Sequence, residues 1–172
     1  MKVLIADKLS ANTVHALESL GLDVVVQPDL TAESLPEVIG EFGILVVRST
    51  KVTAATLRAG KSLSLVIRAG AGVNTIDLAT AGELGVYVAN CPGKNTAAVA
   101  ELAIGLLIAA DRRIVNATVG MRDGKWEKKE YGKSRGLKGR TLGILGLGNI
   151  GMAVAQRAKG LEMNILAWDG WW

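Results

Sequence analysis

The sequence predicts an α/β protein built on parallel sheets wound with helices on both faces. Two observations carry this. Apolar, β-forming runs alternate with helical stretches from residue 2 to residue 90, and a fresh strand–turn–helix–strand begins at residue 141. The runs are near-continuous in apolar residues, as in strands buried on both faces of a parallel sheet.

The elements follow in order. KVLIAD (2–7) is the first strand. Ser10 offers an N-cap, Val14, Leu17 and Leu20 recur at helical spacing, and Gly21 is the stop. DVVVQ (23–27) is a second strand, and residues 32–40 are weakly helical with Pro36 near their start. GILVVRS (43–49), TAATLRAG (53–60) and SLVIRAG (64–70) read as strand, helix, strand. DLATAGELG (77–85) is helical and VYVAN (86–90) is a fifth strand. Asn95 to Arg113 reads as one long helix, apolar on almost every side, which predicts burial between two bodies. A basic loop separates it from the second unit.

Composition excludes several classes. A content of 49% hydrophobic and 21% charged residues supports a core and argues against global disorder. The apolar N-terminus is short and interrupted by Asp7, and the most apolar longer stretch, Ala97 to Ala110, carries Glu101. Neither is long enough to span a bilayer, which predicts a soluble, cytoplasmic chain. The single cysteine, Cys91, allows no internal disulfide, and no Cys/His cluster suggests a metal. The net charge of +4 is concentrated in residues 122–140, with eight basic and three acidic residues. Such a run reads as a solvated linker or as a contact for phosphate backbones. With only Trp126 and Tyr131 for stacking and no accompanying motif, no nucleic-acid partner is expected.

Gly146-Leu147-Gly148-Asn149-Ile150-Gly151 has the spacing G-x-G-x-x-G. A strand (Leu142–Leu145) precedes it and a helix (Met152–Lys159) follows. A second strand, Asn164–Trp168, then ends at Asp169, 18 residues beyond the third glycine. In a dinucleotide fingerprint Gly146 permits the tight turn, Gly148 admits a pyrophosphate, and Gly151 lets the helix pack on its strand. The amides of Asn149 and Ile150 open the helix, where its dipole favours an anion. Asp169 can accept the ribose hydroxyls, and its charge favours NAD over NADP. The alternative is a glycine-rich turn in a structural βαβ unit.

Two further stretches lie at strand ends, where ligands sit in open α/β sheets. Arg48 and Ser49 could hold a phosphate or carboxylate, although a surface salt bridge competes for Arg48. RAGAGVNTIDL (68–78) carries a glycine-rich turn that could equally be a plain turn. The ordered set RST, RAGAGVNTIDL, NCPGKNTAAVAEL, GKW and LKGRTLGILGLGNIG resembles the D-isomer-specific 2-hydroxyacid dehydrogenases, from Lys2 to Asp169. RSTKVT and GKWEKKEYG resemble most the D-3-phosphoglycerate dehydrogenase branch, NAD enzymes that commit 3-phosphoglycerate to serine synthesis.

The resemblance implies a flavodoxin-like substrate-binding lid domain (1–92). After it come an interdomain helix and the first βαβ unit of a Rossmann NAD-binding domain (93–172). It implies that Arg48 and Ser49 meet the substrate phosphate and that Gly72, Val73 and Asn74 meet the substrate carboxylate. Ala71 would lie near the nicotinamide, where the family often has a polar residue. Gly146, Gly148, Asn149, Ile150, Gly151 and Asp169 would hold NAD, and the 95–113 helix would pair subunits in a homo-oligomer.

The family's catalytic arginine, glutamate and histidine lie in the second half of the cofactor domain, and no residue here is expected to be catalytic. The only histidine is His15, on an expected surface helix. The tail WDGWW has Gly170 where the family commonly has proline. These features predict a truncated, frame-shifted or partial dehydrogenase that is inactive alone. The alternative is a non-catalytic module that pairs with a full-length dehydrogenase subunit.

Overall fold

The computed structural model describes residues 1–170 and divides into two compact units, Met1–Lys94 and Asn95–Trp172. In the first, five parallel strands lie in the order β2-β1-β3-β4-β5. They are β1 (Lys2–Ile5), β2 (Asp23–Val26), β3 (Ile44–Val47), β4 (Leu65–Arg68) and β5 (Tyr87–Ala89). This 2-1-3-4-5 order is the flavodoxin-like arrangement. The register pairs Val3 with both Val24 and Ile44, Val47 with Arg68, and Leu65 with Tyr87.

Burial on both faces follows from the apolar runs. Leu4, Leu45, Val47 and Val66 join Leu35, Ile39, Leu57 and Ala81 on one side. Val3, Ile5 and Val46 pack with Val14, Leu17 and Leu22 on the other. The helices start where capping chemistry directs. Ser10 caps α1 (Ala11–Ser19), Thr53 caps α3 (Ala54–Ala59) and Asp77 caps α4 (Leu78–Leu84), each through its side-chain oxygen. The weak 32–40 stretch yields only α2 (Leu35–Val38) and a 3₁₀ turn, Ile39–Glu41. Gly85, at φ +71°, ends α4 in the left-handed conformation.

The second unit holds α5 (Thr96–Arg112), α6 (Ile114–Arg122), α7 (Lys128–Tyr131), β6 (Thr141–Leu145), α8 (Asn149–Gly160) and β7 (Asn164–Trp168). β6 and β7 pair in parallel, Thr141 with Asn164 through Leu145 with Trp168. Arg157 of α8 reaches Glu101 of α5 at 3.2 Å.

Two expectations are corrected here. The long helix is not buried along its length: only Ala100 is, while Leu102 and Leu106 are exposed. Its burial was inferred from composition, and composition does not say which partner covers a face. The segment after Arg113 is also not simply a loop. Arg113 adopts φ +52°, closes α5 and opens α6, and α7 lies within the basic stretch. The β-branched start of α6, Ile114-Val115, hid it, because such residues favour helix weakly. Ion pairs organise the stretch: Lys133 with Glu130, Lys138 with Glu162, and Arg140 with Asp111. Among the described residues no helix is long and apolar enough to cross a membrane, and no cluster could hold a metal ion.

Candidate functional site

At the carboxyl edge of the first sheet, β3 and β4 are neighbours. The loop after β3 begins with Arg48 and Ser49, both exposed. Among the described residues, no hydrogen bond or ion pair engages the Arg48 guanidinium or the Ser49 hydroxyl, so the competing surface salt bridge is absent. The loop is shaped by Asp7, just beyond β1. A single carboxylate oxygen of Asp7 accepts the backbone N–H of Arg48 at 2.6 Å and those of Ser49 and Thr50 at 3.1 Å each. The Thr50 hydroxyl donates to the Ala6 carbonyl at 3.2 Å. Partial burial pushes the Asp7 carboxyl up, but the converging amides outweigh it and hold the group below its ordinary range.

The glycine-rich turn after β4 is held from both sides. Arg68 donates to the Gly72 carbonyl at 2.7 Å, and the Asn90 side-chain amide donates to the Ala71 carbonyl at 2.7 Å. The Cys91 N–H donates to the Gly70 carbonyl at 2.9 Å. These bonds consume carbonyls. The N–H groups of Gly72, Val73 and Asn74 donate to no acceptor among the described residues. Gly72 and Asn74 are exposed, and Ala71 and Val73 half-buried. Beyond the turn, Val52 N–H donates to Thr75 and Asp77 N–H donates back to Val52, tying the Arg48 loop to the turn. Two buried polar atoms nearby, Arg68 Nε and Thr75 Oγ1, have no hydrogen-bond partner among the described residues.

Asp7, Arg68 and Asn90 are organising residues that sequence reasoning missed. The signal for Asp7 was an acidic residue at the end of an apolar strand, where solvation alone gives it no reason to stand.

In the second unit, Gly146 turns at φ +92° and its N–H donates to the Trp168 carbonyl at 2.8 Å. A Cβ on Gly151 would overlap the Gly146 carbonyl oxygen, which is why only glycine fits there. Around Gly148 there is open space within 4 Å of where a Cβ would stand, leaving room for a ligand's approach. Gly148 has no side chain to cap α8, so the first amides of that helix, including Asn149 and Ile150, are left for an anion. Asp169 is half-buried beyond β7, and its carboxylate accepts the Leu147 N–H at 3.3 Å. This holds the carboxylate against the fingerprint turn. Turn, open approach, free helix amides and a placed carboxylate fit the adenosine-pyrophosphate half of a dinucleotide.

The chain is 42% identical over 170 residues to the D-3-phosphoglycerate dehydrogenase of Archaeoglobus fulgidus, covering 98% of this chain and 32% of that protein. It is 48% identical over 146 residues to the hydroxypyruvate reductase of Thermotoga maritima, covering 84% of this chain and 47% of that one. It thus spans about a third to a half of the length of these relatives. Among solved structures, the NAD+-bound 3-phosphoglycerate dehydrogenase of Entamoeba histolytica superposes with a TM-score of 0.81 at 32% identity. That match covers all of this chain and 55% of the other. A family model matches residues 3–165, and the chain belongs to that family, the D-isomer specific 2-hydroxyacid dehydrogenases (catalytic domain).

Proposed function

We propose that this chain is the substrate-lid and fingerprint portion of an NAD-dependent D-3-phosphoglycerate dehydrogenase, which moves hydride between NAD and a 2-hydroxy acid in serine biosynthesis. The observation that carries the substrate assignment is the edge of the first sheet. Among the described residues, an uncommitted Arg48 guanidinium and Ser49 hydroxyl stand beside a turn with three free amides. A planar guanidinium and a hydroxyl suit a phosphate, and the amides of Gly72, Val73 and Asn74 suit a carboxylate. 3-Phosphoglycerate carries both anions.

NAD, when bound, supplies the hydride acceptor. Gly146, Gly148 and Gly151 would admit its pyrophosphate, the Asn149 and Ile150 amides would hold that anion, and Asp169 would take the ribose hydroxyls. What these residues do is bind and orient. The only histidine, His15, sits on α1, largely exposed, 3.7 Å from Glu18. It has none of the surroundings of a general acid/base. Loss of such a group costs about 10²–10⁴-fold in rate, so the 172 residues alone turn over 3-phosphoglycerate far more slowly than a complete enzyme.

The test is a titration of the purified chain with 3-phosphoglycerate and with glycerate, which lacks the phosphate. Binding of 3-phosphoglycerate about 10–100-fold tighter than glycerate is expected for a charge-assisted pair. Arg48→Gln should erase the difference. Equal affinity for the two acids would sink the phosphoglycerate assignment. A second reading, a non-catalytic module pairing with a full-length dehydrogenase subunit, is favoured by the exposed Leu102 and Leu106 on α5. Co-purification with such a subunit, lost on Leu106→Glu, would support it.

A further inference from the structure

Consecutive backbone amides that converge on one point form a nest, a site that ordinarily binds an external anion. The amides of Arg48, Ser49 and Thr50 converge in this way, and the anion they hold is the chain's own Asp7 carboxylate. The bonds cross 41 to 43 residues of sequence. They join the end of β1 to the end of β3, two strands that are neighbours in the sheet. With those amides occupied, an anion arriving at this edge has the Arg48 and Ser49 side chains to bind, and not their backbone. The Thr50 hydroxyl is engaged with Ala6 and adds no free donor.

We infer that Asp7 is the positioning residue of the substrate-anion site: it fills the Arg48–Thr50 nest and thereby sets the loop from which Arg48 and Ser49 reach the ligand. This rests on the assignment of Arg48 and Ser49 as substrate contacts. An internal carboxylate also makes the site selective, because its negative charge behind the loop disfavours anions that would otherwise sit on the bare backbone. Arg48 offsets that charge for a ligand that can accept its fork of N–H donors.

The test uses the whole 172-residue chain, labelled for NMR, with 3-phosphoglycerate as the probe. In the wild type, couplings across the hydrogen bonds should link the Arg48, Ser49 and Thr50 amides to the Asp7 carboxyl carbon. Their absence overturns the inference without any variant, and they decide the matter if a variant fails to fold. In Asp7→Asn and Asp7→Ala, with β1 and β3 amides still protected, affinity should fall by about tenfold or more, the loss expected from a charge-assisted network. Formate, at concentrations that leave the wild type unaffected, should restore Asp7→Ala by refilling the nest and should not restore Asp7→Asn. Wild-type affinity in both variants would overturn the positioning role and leave the substrate assignment standing. No binding by the wild type, with the couplings intact, would overturn the assignment itself, and the positioning role with it.

Discussion

A methyl group on Gly151 would overlap the Gly146 carbonyl oxygen, whereas one on Gly148 would meet open space. The two glycines of one fingerprint therefore separate by function. Gly151→Ala is expected to destabilise the second unit by about 1–3 kcal/mol through overpacking, read as a lower denaturant midpoint for the β6 and α8 amides. Gly148→Ser keeps a good N-cap residue at φ −64° and should change stability by less than about 0.5 kcal/mol. It should nevertheless weaken NAD binding in a calorimetric titration, because its side chain fills the approach to the turn. If Gly148→Ser bound NAD as tightly as the parent chain, the pyrophosphate assignment would be wrong. The G-x-G-x-x-G spacing made these residues legible. Asp7, Arg68 and Asn90 were not legible, because each acts on a loop through a partner that the sheet brings near.

Among the elements, α6 and α7 depart furthest from what the sequence suggests. Glu130 on α7 lies between Arg113 at 2.7 Å and Lys133 at 2.6 Å, and Arg113 also stacks over the Tyr131 ring at 4.9 Å. Hydrogen bonds from Lys133 and Arg113 pull the Glu130 carboxyl from 4.5 down to about 2. A carboxyl whose pKa is depressed on folding contributes stability that is present above its ordinary value and lost as it is protonated. The contribution is therefore whole above about pH 4.5 and fades as pH falls toward about 2. Amide protection of α7 should weaken in that window and also at high salt, since the pair is exposed. Glu130→Gln should remove the pH response; an unchanged acid profile in that variant would show that the pair contributes nothing. The capped helices of the first unit were legible because Ser10, Thr53 and Asp77 act on amides within the same turn. The end of the long helix at Arg113 was legible too, but its restart as α6 was not, because a left-handed arginine needs support, and its side chain finds Glu130 17 residues away.

At the scale of the whole chain, the two sheets differ in what they hide. The central strands of the first, β1, β3 and β4, are covered on both faces. The pair β6 and β7 leaves Leu145 85% exposed, with Leu166 and Trp168 at 68% and 66%. Contiguous apolar surface of this kind, beside unpaired strand edges, favours association. The chain is expected to bind a hydrophobic dye such as anilinonaphthalene sulfonate and to self-associate as concentration rises. The double substitution Leu145→Lys with Leu166→Lys should reduce both. Dye binding and sedimentation unchanged by those lysines would place the sticky surface elsewhere. By itself the sequence determined the α/β class, the order of elements outside residues 114–140, the dinucleotide fingerprint and the strand ends that carry Arg48, Ser49 and the Gly70–Asn74 turn. Those features are set by hydrophobic period, caps and glycine spacing, which act over a few residues. Only the tertiary structure decided which backbone groups remain free for a ligand and which the chain spends on itself. That follows from strand register: the alignment of β1 beside β3 brings Asp7 to the Arg48 loop, and the alignment of β4 beside β5 brings Asn90 to the glycine turn.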